Sequence, residues 1–370
     1  MKQASDSGMD DSGKHLRTGW TTGACAAATS KAACMALLSG QFPDPVEITL
    51  PAGRKAAFSL AEWSAGEGWA CAGIVKDAGD DPDVTHGALI RSTIRRSKPG
   101  TGILFKAGKG VGTVTLAGLP LPPDEPAINP VPRQMIREVL QQVSPECQDY
   151  EVEISVDDGE RIAQKTMNPR LGILGGLSIL GTTGIVIPYS CAAWIHSIQR
   201  GIDVARAAGL KHIAGTTGHT SEEAVKTRHN LPDLAMIDMA DFVGGMLKYV
   251  RAHPVEKVTI GGGMAKITKL AQGRMDLHSK RGLADFEALS AFVAEAGGSA
   301  QLVSYVRTAN TVAEIFDLAD QEKIDLGFLT ARKAWQVAAS VIDDPSILLE
   351  ILVFDRKGKL LGEAPFAPCG

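Results

Sequence analysis

Residues 171–199 contain no Asp, Glu, Lys or Arg, and this stretch constrains the fold more than any other. An uncharged run of that length crosses a bilayer when it forms one continuous helix. Here it reads LGILGGLSILGTTGIVIPYSCAAWIHSIQ, with five glycines, Pro188 and a GTTG turn near its middle. Such breakers divide it into short buried elements of an α/β core, so a soluble chain with no membrane partner is expected.

At roughly 150 residues per domain, 370 residues suggest two or three domains with real hydrophobic cores. The 38 Lys and Arg against 42 Asp and Glu give a net charge of −4, which makes a poor non-specific nucleic-acid binder, and no nucleic-acid partner is expected. An acidic ligand would have to be met by a local basic patch. The cysteines at 25, 34, 71, 147, 191 and 369 form no C-x-x-C pair. That spacing fits neither a zinc site nor a disulfide framework, and implies reduced thiols in the cytoplasm with no protein-bound metal. MKQASDSGMDDSGKH at the start has no apolar segment of the kind a secretory leader needs.

Residues 1–14 read as a disordered tail. Ala24–Ser39 is alanine-rich and helix-favouring, with Gly40 placed to end it. Val46–Leu50, Ala57–Leu60, Trp69–Val75, Val111–Leu116 and Glu151–Val156 have strand character. Pro132 suits the first turn of a helix through Val143. The spacing therefore predicts an α+β domain over 15–166.

Residues 167–370 have a different rhythm. Ile185–Ile187, His212–Ala214, Leu234–Met239 and Val258–Ile260 alternate with helical segments. One of these starts at Ser190 as N-cap, with Trp194, Ile198, Ile202 and Ala205 on one stripe. Others open at Ser221 and cover Ala284–Ala296. This alternation predicts an α/β three-layer domain around a mostly parallel, doubly wound (Rossmann-like) sheet, closed by a hairpin over Ile347–Gly362.

Three turns combine glycine and threonine: TGWTTGA (18–24), GTTGI (181–185) and GTTGHT (215–220). Backbone N–H groups, hydroxyls and a helix N-terminus at such turns suit a carboxylate, phosphate or ribose. The second and third would lie beyond the carboxyl ends of the parallel strands, with Gly261-Gly262-Gly263 as another wall. Equally, each is an ordinary tight turn. No G-x-G-x-x-G with a following ribose acid and no P-loop is present, and GKGVG (108–112) has no helix after it. VKDAGDDPDVTHG (75–87) gathers Asp77, Asp80, Asp81, Asp83 and His86. Crowded carboxylates should raise one another's pKa values and offer a base, with His86 the better candidate near neutrality; an Asx-rich turn is the bland alternative. Arg91, Arg95, Arg96 and Lys98 form either a solvated helix face or a clamp for acidic groups. Cys25 reads as a small buried residue more than a reactive thiolate, and His219 and His278 as loop histidines that could touch a ligand.

At this point the residues resemble a family. LRTGWTTGACAAATSKAA (16–33), VKDAGDDPDVTHG (75–87), GVGTVTLAGL (110–119), EPAINPVPRQMI (125–136), NPRLGILGGLSILGTTGIVIP (168–188) and ITKLAQGRMDLHSKRGLAD (267–285) look like successive blocks of the CbiD family, the cobalt-precorrin-5B C1-methyltransferases of cobalamin biosynthesis. Trp20, GTTGHT and GGGMAK depart from the blocks usual there. The resemblance implies methyl transfer from S-adenosylmethionine to C1 of a corrin precursor, a small-molecule partner, and leaves a homo-oligomer open. On it, Gly181, Thr182, Thr183, Gly184, Gly215, Thr216, Thr217 and Gly218 are expected to hold the donor. Thr21, Thr22, Gly23, Arg91, Arg95 and Arg96 are expected to meet the acid-bearing macrocycle. Asp80, Asp81 or His86 is expected to assist formation of the carbon nucleophile. A nucleotide-dependent enzyme and a non-catalytic tetrapyrrole-binding protein remain as alternatives.

Overall fold

The computed structural model describes residues 15–279 and 282–370; the tail expected over 1–14 lies outside them. The chain is mixed α/β and forms two compact units that divide between Ser190 and Cys191.

In the first unit a five-stranded sheet runs in the order 62–66, 69–75, 89–96, 150–156, 103–107, antiparallel except for its last pair. The Thr22–Ser39 helix packs on the 69–75 and 89–96 strands and on the Pro130–Val143 helix. Its alanines are the reason it can lie so close: Ala24 to Ala28, Ala32 and Ala33 are all fully buried. Thr29 and Ser30 reach Ser92 across that contact, at 2.7 and 2.9 Å between hydroxyls, so the polar atoms buried there are paired.

The division expected after residue 166 falls later. Ile173–Leu174 pairs with Thr113–Val114, Gly176–Leu177 with Gly110–Val111, and Ile185–Val186 with Gly19–Trp20. The uncharged run thus belongs mainly to the first unit as two-residue strands that complete its edges. GKGVG is part of the same stitching: Gly110 lies backbone to backbone with Gly159 and Gly176, which leaves no space for a phosphate.

In the second unit strands 236–238, 212–216, 257–263 and 344–354 are parallel neighbours in that order, and 360–369 returns antiparallel to the last. Side chains alternate between faces along each strand. Ile213, Ile237, Ile260 and Ile351 join the large core with the helices Cys191–Ala207, Val243–Ala252 and Met264–Ala271. Ala214, Met236, Leu352 and Phe354 meet Val225 of the His219–His229 helix on the other face. Among the described residues no helix is long and apolar enough to cross a membrane.

Candidate functional site

In the first unit the chain entering the long helix threads against the acidic loop. Trp20 N–H donates to Asp77 O at 2.7 Å and Asp80 N–H to Arg17 O at 2.9 Å, while Arg17 N–H donates to Asp80 Oδ2 at 2.7 Å. The approach requires two glycines. A Cβ on Gly19 would fall 2.0 Å from the Ala78 carbonyl carbon, and one on Gly79, at φ +69°, 2.1 Å from Arg17 O.

The same entry segment is bound to residues 180–184. Thr21 Oγ1 caps the helix by accepting from Ala24 N–H at 3.1 Å, and Thr21 N–H donates to Gly184 O at 3.1 Å. Gly23 N–H donates to Leu180 O at 2.9 Å, and Thr22 Oγ1 accepts from Leu180 N–H at 2.9 Å. Thr21, Thr22, Gly23 and the 181–184 turn are therefore together, beside Asp80 and Asp81, but the turn stands in the first unit, after the two-residue strand 176–177, and not at the carboxyl ends of the second unit's parallel strands. Its expected place in the crevice of the parallel sheet is corrected accordingly. Thr183 Oγ1 accepts from Ile185 N–H at 3.2 Å, and Thr182 is exposed.

Asp77 and Asp83 are lowered and not raised as the crowding suggested, because each faces a cation. The side-chain bond from Arg17, aided by Gly79 N–H, holds Asp77 down at about 2. Burial works against the Asp83 anion, but Lys76 at 2.8 Å and Thr85 outweigh it, and its pKa is lowered. Asp81 Oδ1 accepts from Tyr189 N–H at 2.8 Å. His86 is exposed, but its Nδ1 accepts from Ala78 N–H at 3.1 Å. That bond assigns the neutral ring its proton on Nε2, so the outward nitrogen donates.

The cationic run is a strand, not a helix face. Leu89–Arg96 turns Ile90, Ser92 and Ile94 inward and Arg91, Thr93 and Arg95 outward. Arg91 pairs with Glu62 and Asp157, which tighten its hold on its proton, and Arg95 with Glu151 and Glu153. At ~3.3 Å per residue the strand carries Arg96 roughly 20 Å from the acidic loop. Sequence reasoning missed Arg54, which is exposed, stacks over the Trp20 ring at 5.6 Å and has no carboxylate partner among the described residues. Cys25 is fully buried, and burial pushes its thiol up to about 12, as suits a packing residue.

In the second unit the third turn does lie at the carboxyl ends of parallel strands. Strands 212–216 and 257–263 are adjacent, yet the helices that follow them cover opposite faces, which opens a crevice between their ends. The His219–His229 and Met264–Ala271 helices start there, at Gly218 and Gly263, with no side-chain cap. Side-chain space at both glycines is open, and the fully buried Thr216 hydroxyl has no hydrogen-bond partner among the described residues. Lys266 Nζ donates to Thr217 O at 2.7 Å and lies 3.0 Å from Asp241 Oδ1. Exposed His219 opens the first helix, and His278 N–H donates to Asp276 Oδ1 at 3.0 Å in a loop. Among the described residues no group of three or more metal-ligating side chains converges.

Two helix starts without a side-chain cap, beside small residues, are the kind of backbone that suits an anionic or nucleoside ligand. The family model described as CbiD matches residues 9–188, and that of the CbiD C-terminal domain matches 276–365. A relative from Agrobacterium fabrum named Cobalt-precorrin-5B C(1)-methyltransferase is 63% identical over 97% of this chain and 96% of its own. One of the same name from Halorhodospira halophila is 56% identical over 96% of each. A crystal structure of the cobalamin biosynthesis protein CbiD from Archaeoglobus fulgidus is 29% identical, covers 72% of this chain and 83% of that one, and has a TM-score of 0.39. The chain belongs to the CbiD family.

Proposed function

We propose that this chain is the methyltransferase that moves a methyl group from S-adenosylmethionine to C1 of cobalt-precorrin-5B, giving a cobalt-precorrin-6A-type product. The observation that carries this reading is the 63% identity, over nearly the whole chain, to a protein named for that reaction. The donor supplies an electrophilic methyl on a cationic sulfur, and the residues of the second-unit crevice fit its other end. Helix starts at Gly218 and Gly263 suit its carboxylate, and the unpaired Thr216 hydroxyl suits a polar ligand atom.

The macrocycle is assigned to the first unit, to the surface made by Thr21–Gly23, Gly181–Gly184 and the acidic loop. Arg54 has no carboxylate partner among the described residues and would take an acetate or propionate arm, whereas Arg91 and Arg95 are already neutralised. Asp80 or Asp81 would accept the proton when the carbon nucleophile forms, and His86 Nε2–H would donate a hydrogen bond to an arm. In-line displacement leaves the protein mainly to align the reacting atoms and exclude water.

Incubation with donor and macrocycle, followed by product mass and carbon-position assignment, tests the reading: one methyl is expected on C1. A tight coloured complex with no methylated product would instead make the chain a tetrapyrrole-binding protein. Full turnover after replacing Asp80, Asp81 and His86 in turn would remove the loop's catalytic role.

A further inference from the structure

Trp194 is out of place for its helix. It shares a stripe with Ile198 and Ile202, which are 1% and 0% exposed, and the periodicity puts it in the core with them; instead it is 43% exposed. Its indole N–H is satisfied, donating to Asp238 O at 3.2 Å. The ring is thus held by its polar edge with much of its apolar surface open, the arrangement of a stacking platform and not of a core residue.

Asp238 is the last residue of strand 236–238, in register with Thr216 on the next strand. Neighbouring strands are ~4.8 Å apart, so its carboxylate borders the crevice on the side where the His219–His229 helix begins. It falls about 20 residues after the Gly–Thr turn, the interval at which nucleotide-binding sheets place an acid for ribose hydroxyls. Its Oδ1 accepts from Ala240 N–H at 3.2 Å, and Ala240 is held at φ +46°, a left-handed conformation unusual for a residue with a Cβ. The turn that orients the acid is therefore strained, as turns around ligands often are.

We infer that Trp194 and Asp238 form a nucleoside subsite beside the crevice, the indole stacking on a purine base and the carboxylate accepting from ribose hydroxyls. This rests on the methyl-donor reading and extends it: the anionic end of the ligand lies at the Gly218 helix start, and its nucleoside end turns toward strand 236–238. Three sequence-distant residues, Trp194, Asp238 and Gly218, would then set specificity for an adenosyl group over other sulfonium compounds.

Calorimetry on the full chain tests it, with S-adenosylhomocysteine and its 2′-deoxy and 3′-deoxy ribose analogues as probes. Wild type should bind at least one deoxy analogue roughly 10-fold more weakly, the scale of a lost hydrogen bond to a charge. Asp238→Asn, which keeps an acceptor for Ala240 N–H, should bind S-adenosylhomocysteine about 10-fold more weakly and lose that discrimination. Trp194→Ala should weaken binding at least ~5-fold, the lower end for a lost stacking platform, and Trp194→Phe should restore most of it. Quenching of tryptophan emission by the probe should disappear in Trp194→Phe. Unchanged affinity in Trp194→Ala, or a deoxy penalty that persists in Asp238→Asn, would overturn the subsite alone. Failure of wild type to bind S-adenosylhomocysteine would overturn the donor reading together with it.

Discussion

Lys76 Nζ lies 2.8 Å from Asp83 Oδ2, a buried ammonium, 1% exposed, against a carboxylate at the margin of the acidic loop. The pair anchors the loop from beneath, since Lys76 O also accepts from Gly87 N–H at 2.8 Å, across the loop's own turn. Removing one partner of such a pair costs more than the pair contributes, because the other charge stays buried and uncompensated. Asp83→Asn should therefore destabilise the protein by about 3 kcal/mol in urea unfolding, and adding Lys76→Met to it should recover part of that loss.

Two pH windows follow from shifted groups. Burial, with His229 and Lys257 nearby, depresses His212 from 6.5 to about 4. Between those values the unfolded chain binds the extra proton, so stability is complete above about 6.5 and falls as pH drops toward 4. Asp77, held by Arg17, is depressed from 3.8 to about 2; its contribution is present above 3.8 and lost through about 2. Urea midpoints between pH 2 and 8 should show both declines, with His212→Gln flattening the upper one and Asp77→Asn the lower.

Gly19 faces Ala78 so closely that any side chain displaces backbone. Gly19→Ala should lose about 3 kcal/mol, the upper end of overpacking penalties, and should separate the entry segment from the acidic loop. Turnover should fall with it, while affinity for S-adenosylhomocysteine stays within about 2-fold of wild type. Calorimetry and a single-turnover assay check the two halves.

Glu350 is buried in the second unit with two donors on one oxygen, Thr259 at 2.8 Å and His229 at 2.7 Å, and His212 bonds Thr259 in turn at 2.9 Å. Glu350→Ala orphans that chain of polar groups. At ~1–3 kcal/mol for each unsatisfied group, a loss of about 2–4 kcal/mol is expected by denaturant titration.

Much of this was legible where one local rule governs. Trp69–Val75 was read with its observed ends because its apolar run is bounded by turn residues, and the Pro130–Val143 helix because proline sits in its first turn. The 89–96 segment is a strand with a plain alternation, Ile90, Ser92 and Ile94 pointing one way and Arg91 and Arg95 the other, but a charge run such as Arg91–Lys98 also suits a solvated helix face. The destination of 171–188 was not legible, because two-residue strands carry no period and their partners lie elsewhere in the sequence. The Gly–Thr turns and acidic loop were found as motifs. Their division between two units was not, since only tertiary pairing decides it, and Arg54, Trp194 and Asp238 belong to no motif at all.

The pairing of Gly19–Trp20 with Ile185–Val186 also bears on the order in which the chain can be assembled. During synthesis the segment after Arg17 has the acidic loop available early, but its other flank stays bare until residues 180–186 have left the ribosome. The amino-terminal half is thus sealed by its own last stretch, and a ribosome stalled short of that point would release a nascent chain with the mouth of its long helix unzipped.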